Sequence, residues 1–264
     1  MIVANLATYP PRRDRLAEAI GRVAPQVDRL NIVLNEYDSV PEEVSGHPMA
    51  AKVHAVIPPH DTKDVGKFFP DVPGAEIVFC VDDDLDYPAD FVAKTAAALR
   101  ALGPGHMAGY HGSLYRRPDW AWSVNGLRTW ARFLLKRRTI ARFRKVYWCV
   151  EALDEAVVVD QIATNACALF GADMPPYDYM RTSQRFVDVR LARWCHEKGI
   201  RPVCLPRAEG WLREIEFDES IYEGFTRTDP AHVAREIRSY AFRVPGRGRA
   251  PVPAGKAPSK AAAE

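Results

Sequence analysis

The chain has 264 residues, 47% hydrophobic, 10% aromatic and 27% charged, with 36 Lys and Arg against 34 Asp and Glu for a formal net charge of +2. That length suits one α/β domain with a core, or two small ones, and the composition excludes disorder as the default state. So small a net charge does not by itself point to nucleic acid.

The start, Met1-Ile2-Val3-Ala4-Asn5, has neither a basic leader nor a cleavable apolar core, and no apolar run approaches the ~18 residues of a membrane span. Ile2 to Ala7 reads as a first strand, followed by the turn Thr8-Tyr9-Pro10-Pro11. Leu16, Ala19, Ile20 and Val23 then fall at i, i+3, i+4 and i+7, one face of a helix. Leu30 to Leu34 and Val53 to Ile57 read as strands, and Ile77 to Val81 as a fourth whose five successive apolar residues suit burial on both faces, as in a parallel sheet. Asp90 stands where it can cap a helix carrying Phe91, Val92, Thr95, Leu99 and Leu102.

The stretch from about 103 to 150 breaks this rhythm with Trp120, Trp122, Trp130 and Trp148 and a dense basic run. Beyond it, Ala156 to Asp160 reads as a strand. Val187, Leu191, Trp194 and Cys195 mark a helix closed by Gly199, and Arg201 to Leu205 a return to the sheet. From Val244 the chain is Pro, Gly, Ala and Lys with almost no apolar bulk, so residues 244–264 read as a disordered tail. Strands alternating with helices predict an open α/β sheet. Five cysteines, Cys80, Cys149, Cys167, Cys195 and Cys204, include no CxxC pair, which argues against a zinc site or disulfide framework and favours a reducing compartment. A cytoplasmic location is expected.

The chemistry concentrates at Asp82-Asp83-Asp84, directly after the strand Ile77 to Val81. Adjacent carboxylates repel one another, so a fold that keeps them needs solvent, basic neighbours or a cation. In extended chain Asp82 and Asp84 share one side while Asp83 faces elsewhere, so the outer pair can converge on one hard cation, Mg²⁺ or Mn²⁺. Open α/β sheets bind ligands beyond the carboxyl ends of their strands, where this cluster falls. The plain alternative is a solvated acidic turn.

The segment Val78-Phe79-Cys80-Val81-Asp82-Asp83-Asp84-Leu85-Asp86-Tyr87-Pro88-Ala89-Asp90-Phe91 resembles the DxD segment of family 2 glycosyltransferases. The resemblance extends to Ala7-Thr8-Tyr9-Pro10-Pro11-Arg12, to Leu34-Asn35-Glu36-Tyr37-Asp38 and to Asp64-Val65-Gly66-Lys67-Phe68-Phe69, together most of residues 1–102. It implies a GT-A, Rossmann-like fold: α/β, with a mixed, mainly parallel sheet flanked by helices. Residues 1–102 would form its nucleotide-sugar-binding half and residues 103–243 its acceptor-binding half. It further implies that Asp84 and Asp82 hold the divalent ion, with Asp83 near the ribose or sharing the metal. Thr8, Asn35 or Asp38, and Lys67 would contact the nucleotide, Tyr9 would belong to the same site, and Arg12 or Arg13 would reach phosphate. The activity implied is transfer of a sugar from a nucleotide donor, foremost a UDP-sugar, to a glycan or lipid-linked acceptor.

Such transfer needs a base for the acceptor hydroxyl. By similarity to inverting enzymes of this type, Asp188, in Gln184-Arg185-Phe186-Val187-Asp188-Val189-Arg190, occupies that position, although Val187 stands where the commoner pattern has a second acid; Asp178 is a weaker substitute. Leu205-Pro206-Arg207-Ala208-Glu209-Gly210-Trp211-Leu212 resembles a closing segment of related polysaccharide-type transferases. Trp211 there either stacks on a sugar or packs in the core, and His111 either faces the acceptor or sits satisfied in a strand. From Arg128 to Lys145 the run Arg128, Arg132, Lys136, Arg137, Arg138, Arg142, Arg144 and Lys145 contains no acid and interleaves Trp130, Phe133, Leu134 and Ile140. It reads as a solvated basic helix, or as a surface for an anionic acceptor or a membrane face. Nucleic acid fits less well, since no binding motif accompanies the charge.

Three other readings compete. Asp82-Asp83-x-x-Asp86 also satisfies the DDxxD pattern of isoprenoid synthases, which are all-helical. A nucleotidyltransferase on a similar sheet would want a Gly-rich phosphate loop, and none follows the first strand. An inactive nucleotide- or glycan-binding relative would keep the acid cluster without turnover.

Overall fold

The computed structural model describes residues 1–115, 124–135, 144–215 and 230–241. The first half runs β1 (Ile2–Thr8), a 3-10 turn at Pro10–Arg12, α1 (Arg13–Val23), β2 (Arg29–Leu34), α2 (Glu42–Ser45), β3 (Val53–Val56), a 3-10 turn at Lys63–Phe68, β4 (Ile77–Val81), β5 (Leu85–Asp86) and α3 (Phe91–Leu102). The second half adds β6 (His106–Gly109), β7 (Gly112–Tyr115), α4 (Val124–Leu135), β8 (Arg144–Tyr147), β9 (Val157–Val158), β10 (Gln161–Ile162), β11 (Ala166–Phe170), α5 (Tyr177–Met180), α6 (Val187–Lys198), β12 (Arg201–Cys204), β13 (Arg213–Glu214) and α7 (Ala231–Tyr240).

Eight strands form one sheet in the order β3-β2-β1-β4-β11-β6-β12-β9. β3, β2, β1 and β4 run parallel, β11 lies antiparallel between β4 and β6, β12 is parallel to β6, and β9 closes the edge antiparallel. The result is a mixed α/β fold with a mostly parallel sheet flanked by helices, compatible with a Rossmann-like arrangement. Strands from both halves of the chain share this sheet. It also excludes the all-helical architecture that the DDxxD reading requires.

Burial explains the layering. Every residue of β4 is fully buried, so its side chains alternate between two cores. Phe79 packs on the face covered by α1 and α3, with Leu16, Ile20 and Phe91, whereas Cys80 packs on the opposite face with Val65, Phe68, Val187 and Leu191 from the Lys63–Phe68 turn and α6. Truncating a side chain buried as Phe79 is costs about 3–5 kcal/mol in comparable cores. α7 packs on the outside of α6, where Glu236 pairs with Arg190.

Several expectations need correction. Asp90 stands at the N-cap position of α3, but its carboxylate makes no capping bond; it pairs with Lys94 at 2.6 Å and accepts the Trp211 indole N–H at 3.1 Å. The strand expected over 156–160 shrinks to Val157–Val158, because the Asp160 N–H bonds Ser113 O at 3.0 Å and its carboxylate takes the Tyr115 N–H at 2.7 Å, drawing the chain off the sheet onto β7. Gly199 does close α6, in the left-handed conformation at φ 70° that glycine adopts without strain. All five cysteines are buried free thiols. Among the described residues no helix is long and apolar enough to cross a membrane. Trp120, Trp122, Lys136, Arg137, Arg138, Ile140, Arg142 and the expected tail, residues 244–264, lie outside the described residues.

Candidate functional site

β1 and β4 are neighbours, yet the chain leaves β1 toward β2 and returns to β4 from β3, so strand order reverses at their carboxyl ends. Such a switch point is where open α/β sheets place ligands. Thr8 ends β1 there, and Asp82, Asp83 and Asp84 follow β4 directly.

The three acids divide as the alternation of extended chain predicts. The Asp83 side chain is 0% exposed, whereas Asp82 is 26% and Asp84 33% exposed. Asp83 turns inward, accepting the Thr8 hydroxyl at 2.7 Å and pairing with the Arg12 guanidinium, which also reaches Asp84 at 3.2 Å. Asp82 pairs with the Lys67 ammonium. Asp86 leaves the cluster altogether to pair with Arg22 on α1.

The protonation behaviour follows from this wiring. Burial raises the Asp84 carboxyl to about 6; repulsion from Asp82 adds to this and Arg12 opposes it. Asp83 is also raised by burial, with Arg12 and Thr8 pulling the other way. Burial alone would lower Lys67, but its contact with Asp82 outweighs that and holds the ammonium charged.

Lys67 is fixed from beneath. Asn5 in β1 donates to the Lys67 carbonyl at 2.7 Å and accepts from Asn31 of β2 at 2.8 Å, a buried amide relay that ties the Lys63–Phe68 turn to the sheet. Gly66 lets the turn lie that close. A Cβ there would meet Thr62 Oγ1 at 2.6 Å and Ala7 Cβ at 3.1 Å. The Asn35 carboxamide is buried and committed to the same turn, accepting Thr62 N–H at 2.8 Å and donating to Lys63 O at 3.2 Å, while Asp38 is exposed beyond it. Tyr9 is half-buried beside the cluster, its ring 5.8 Å from the Arg12 guanidinium carbon. Arg13 points away to Glu43.

Asp188 lies in the first turn of α6, as expected. Its Oδ1 accepts both the Thr164 N–H at 2.8 Å and the Thr164 hydroxyl at 2.9 Å, leaving Oδ2 without a partner among the described residues. Burial raises its pKa, and the Thr164 bonds and Lys67 restrain that rise. Thr164 in turn accepts from Lys67 Nζ at 3.0 Å through its carbonyl. Asp82, Lys67, Thr164 and Asp188 therefore form one connected line across the carboxyl edge of the sheet. Asp178 is remote from this line, paired on the surface with Arg181.

His111 is in no strand; it occupies the bend between β6 and β7, with its carbonyl on the Ala163 N–H at 2.8 Å and its ring 4.9 Å from that of Trp148. Its Nδ1 is buried without a partner among the described residues, and burial, aided by Arg144 and Arg207, brings its pKa down to about 4. Trp211 packs against Tyr110 and Phe91 with its N–H on Asp90, a core role.

Several residues that organise the site carried no sequence signal. Thr164 works through its backbone as much as its side chain. The buried Tyr87 hydroxyl accepts the Asp82 N–H at 2.8 Å and donates to Asn165 O at 2.5 Å, bracing the acid cluster against the chain that holds Thr164. Arg207 spends its guanidinium on the Trp148, Cys149 and Leu205 carbonyls, holding Trp148 in place.

The donor set suits a hard divalent ion. Asp82 and Asp84 are partly open carboxylates at a cluster where three carboxylates meet two cations, and burial together with repulsion from Asp82 holds Asp84 above the usual carboxylate range. Among the described residues no group of three or more His, Cys, Asp or Glu side chains forms a ligand set. Two carboxylates completed by phosphate oxygens and water is the usual Mg²⁺ pattern. No protein-family model matches the chain, and comparison with curated proteins finds no match either.

Proposed function

We propose that this chain is a metal-dependent, inverting glycosyltransferase of GT-A type, moving a sugar from a nucleotide diphosphate donor, foremost a UDP-sugar, to a hydroxyl of a glycan or lipid-linked acceptor. The observation that carries the reading is the line Asp82–Lys67–Thr164–Asp188 at the switch point. It joins a carboxylate pair fit for a metal to a separate carboxylate fit for a base.

Asp82 and Asp84 would hold Mn²⁺ or Mg²⁺, which when bound supplies charge neutralisation for a departing diphosphate. Lys67 adds a fixed positive charge beside that position, and Arg12, locked between Asp83 and Asp84, keeps the acid loop in shape. Asp188 is the base. Thr164 saturates Oδ1 and so aims Oδ2 outward, and burial raises the carboxylate's proton affinity, which favours taking a proton from an acceptor hydroxyl. Direct displacement at the anomeric carbon then inverts its configuration as the nucleoside diphosphate leaves.

The test is a thermal-shift screen of nucleotide-sugars with and without Mn²⁺, followed by turnover assays. Metal-dependent stabilisation by a nucleotide-sugar and release of nucleoside diphosphate are expected. Asp84→Asn should abolish the metal dependence, and Asp188→Asn should lower turnover about 10²–10⁴-fold while nucleotide binding persists. Binding without turnover would instead identify a nucleotide-binding relative, and pyrophosphate release a nucleotidyltransferase.

A further inference from the structure

Helix α4 presents a row of exposed apolar residues. Val124 is 66% exposed and Leu127 49%, and Ala131 is exposed one turn further on. These positions fall at i, i+3 and i+7, a single line along the helix. Arg128, also exposed and one turn on from Val124, flanks that line, and exposed Asn125 and Thr129 lie further round the helix. Scattered apolar residues on a surface are ordinary, but a row of them on one helix marks a contact face.

The charge beside that row has one sign. From Arg128 to Lys145 the sequence holds eight cations and no acid, so the counterpart it suits is extended and anionic. A purely charged partner would leave the apolar row wet, and a purely apolar one would leave the cations uncompensated. A surface offering both an acyl boundary and a layer of phosphates satisfies both.

The position of the helix fits as well. It is inserted between β7 and β8, which pair antiparallel from Gly112↔Tyr147 to Tyr115↔Arg144. At the base of this hairpin the His111 ring lies 4.9 Å from that of Trp148, and its carbonyl takes the N–H of Ala163, the neighbour of Thr164.

We propose that α4 is an interfacial helix that docks the chain on an anionic lipid bilayer, with Val124, Leu127 and Ala131 in the acyl boundary and Arg128 on a lipid phosphate. The helix lies in the membrane plane and does not cross it. This docking stands on its own observations and survives if the sugar-transfer reading fails.

Flotation of the full chain with vesicles tests it. Phosphatidylcholine vesicles should leave the chain in solution, and phosphatidylcholine mixed with phosphatidylglycerol should carry it upward, less so as salt rises. Charge reversal by Arg128→Glu with Arg132→Glu should weaken partitioning by more than about tenfold, at about fivefold for each cation lost. Val124→Ser with Leu127→Ser should weaken it to a comparable degree at unchanged net charge. Both apolar positions are exposed, so circular dichroism and melting should match wild type; if they do not, Leu127→Ser replaces the pair. No partitioning to the anionic vesicles overturns the proposal. Partitioning that ignores the apolar substitutions also overturns it, because charge alone would then explain the adsorption, as would retention on RNA or an acidic peptide but not on vesicles.

Discussion

Lys67 and Asp188 converge on a single residue, Thr164. The ammonium donates to the Thr164 carbonyl at 3.0 Å, and the carboxylate accepts its N–H at 2.8 Å and its hydroxyl at 2.9 Å. One residue between β10 and β11 thus sets the spacing of a cation from the 3-10 turn beneath β1 and an anion from α6.

Thr164→Val keeps the shape and both backbone groups but removes the hydroxyl. Losing a hydrogen bond to its charged form raises the proton affinity of Asp188 further. The acid limb of the kcat–pH profile should therefore move to higher pH, while KM for the nucleotide donor stays near wild type. Folding stability should fall by about 0.5–1.5 kcal/mol. A pH profile superimposable on wild type would remove Asp188 from the role of base.

Tyr87→Phe tests the brace behind the acid cluster. The substitution leaves the Asp82 N–H and the Asn165 carbonyl without their shared partner in a buried site. Unpaired buried groups cost about 1–3 kcal/mol each, partly recovered by relaxation, so a loss of about 1–3 kcal/mol in urea unfolding is expected, with weaker metal-dependent nucleotide binding. Loss of stability without any change in binding would show that Tyr87 serves the fold and not the cluster.

His111 gives the chain a dependence on acid. Its folded pKa is depressed to about 4, against an ordinary value of 6.5. Between these values the unfolded chain binds a proton that the folded chain refuses, so stability falls as pH is lowered from 6.5 toward 4 and is fully present above that window. His111→Phe should flatten this slope. Melting at about pH 7 and about pH 5 should show a wild-type drop that exceeds the variant's by a few degrees. Equal drops would mean that His111 is protonated as readily in the folded chain as in the unfolded one.

Much of the fold's first half was legible because its physical signals are local. Five successive apolar residues over Ile77–Val81 announce a strand buried on both faces, and the acids that follow mark where it ends. β11 was not legible: Ala166-Cys167-Ala168-Leu169-Phe170 is rich in residues with weak β preference, and only its two neighbours make it a central strand. Asp82, Asp84, Lys67 and Asp188 stood out as charged residues in recognisable surroundings. Thr164, Tyr87 and Arg207 did not: Thr164 acts largely through its own backbone, and the other two on backbone groups brought near them by the fold. Of the two readings of His111, the strand one fails, since Gly109 and Gly112 bound a bend that apolar patterning does not mark.

The insertion of β11 between β4 and β6 governs the order in which this protein is made. Until residue 170 has left the ribosome, β4 has β1 on one side and a bare edge on the other. That edge is Ile77–Val81, apolar throughout, and open edges of this kind template pairing with other chains. The nascent first half therefore carries its own hazard through the synthesis of some seventy further residues, counted roughly from the end of α3 to that of β11. A fragment ending after α3 should aggregate, and the acid cluster should take its final form only once Ala166 has paired with Val81.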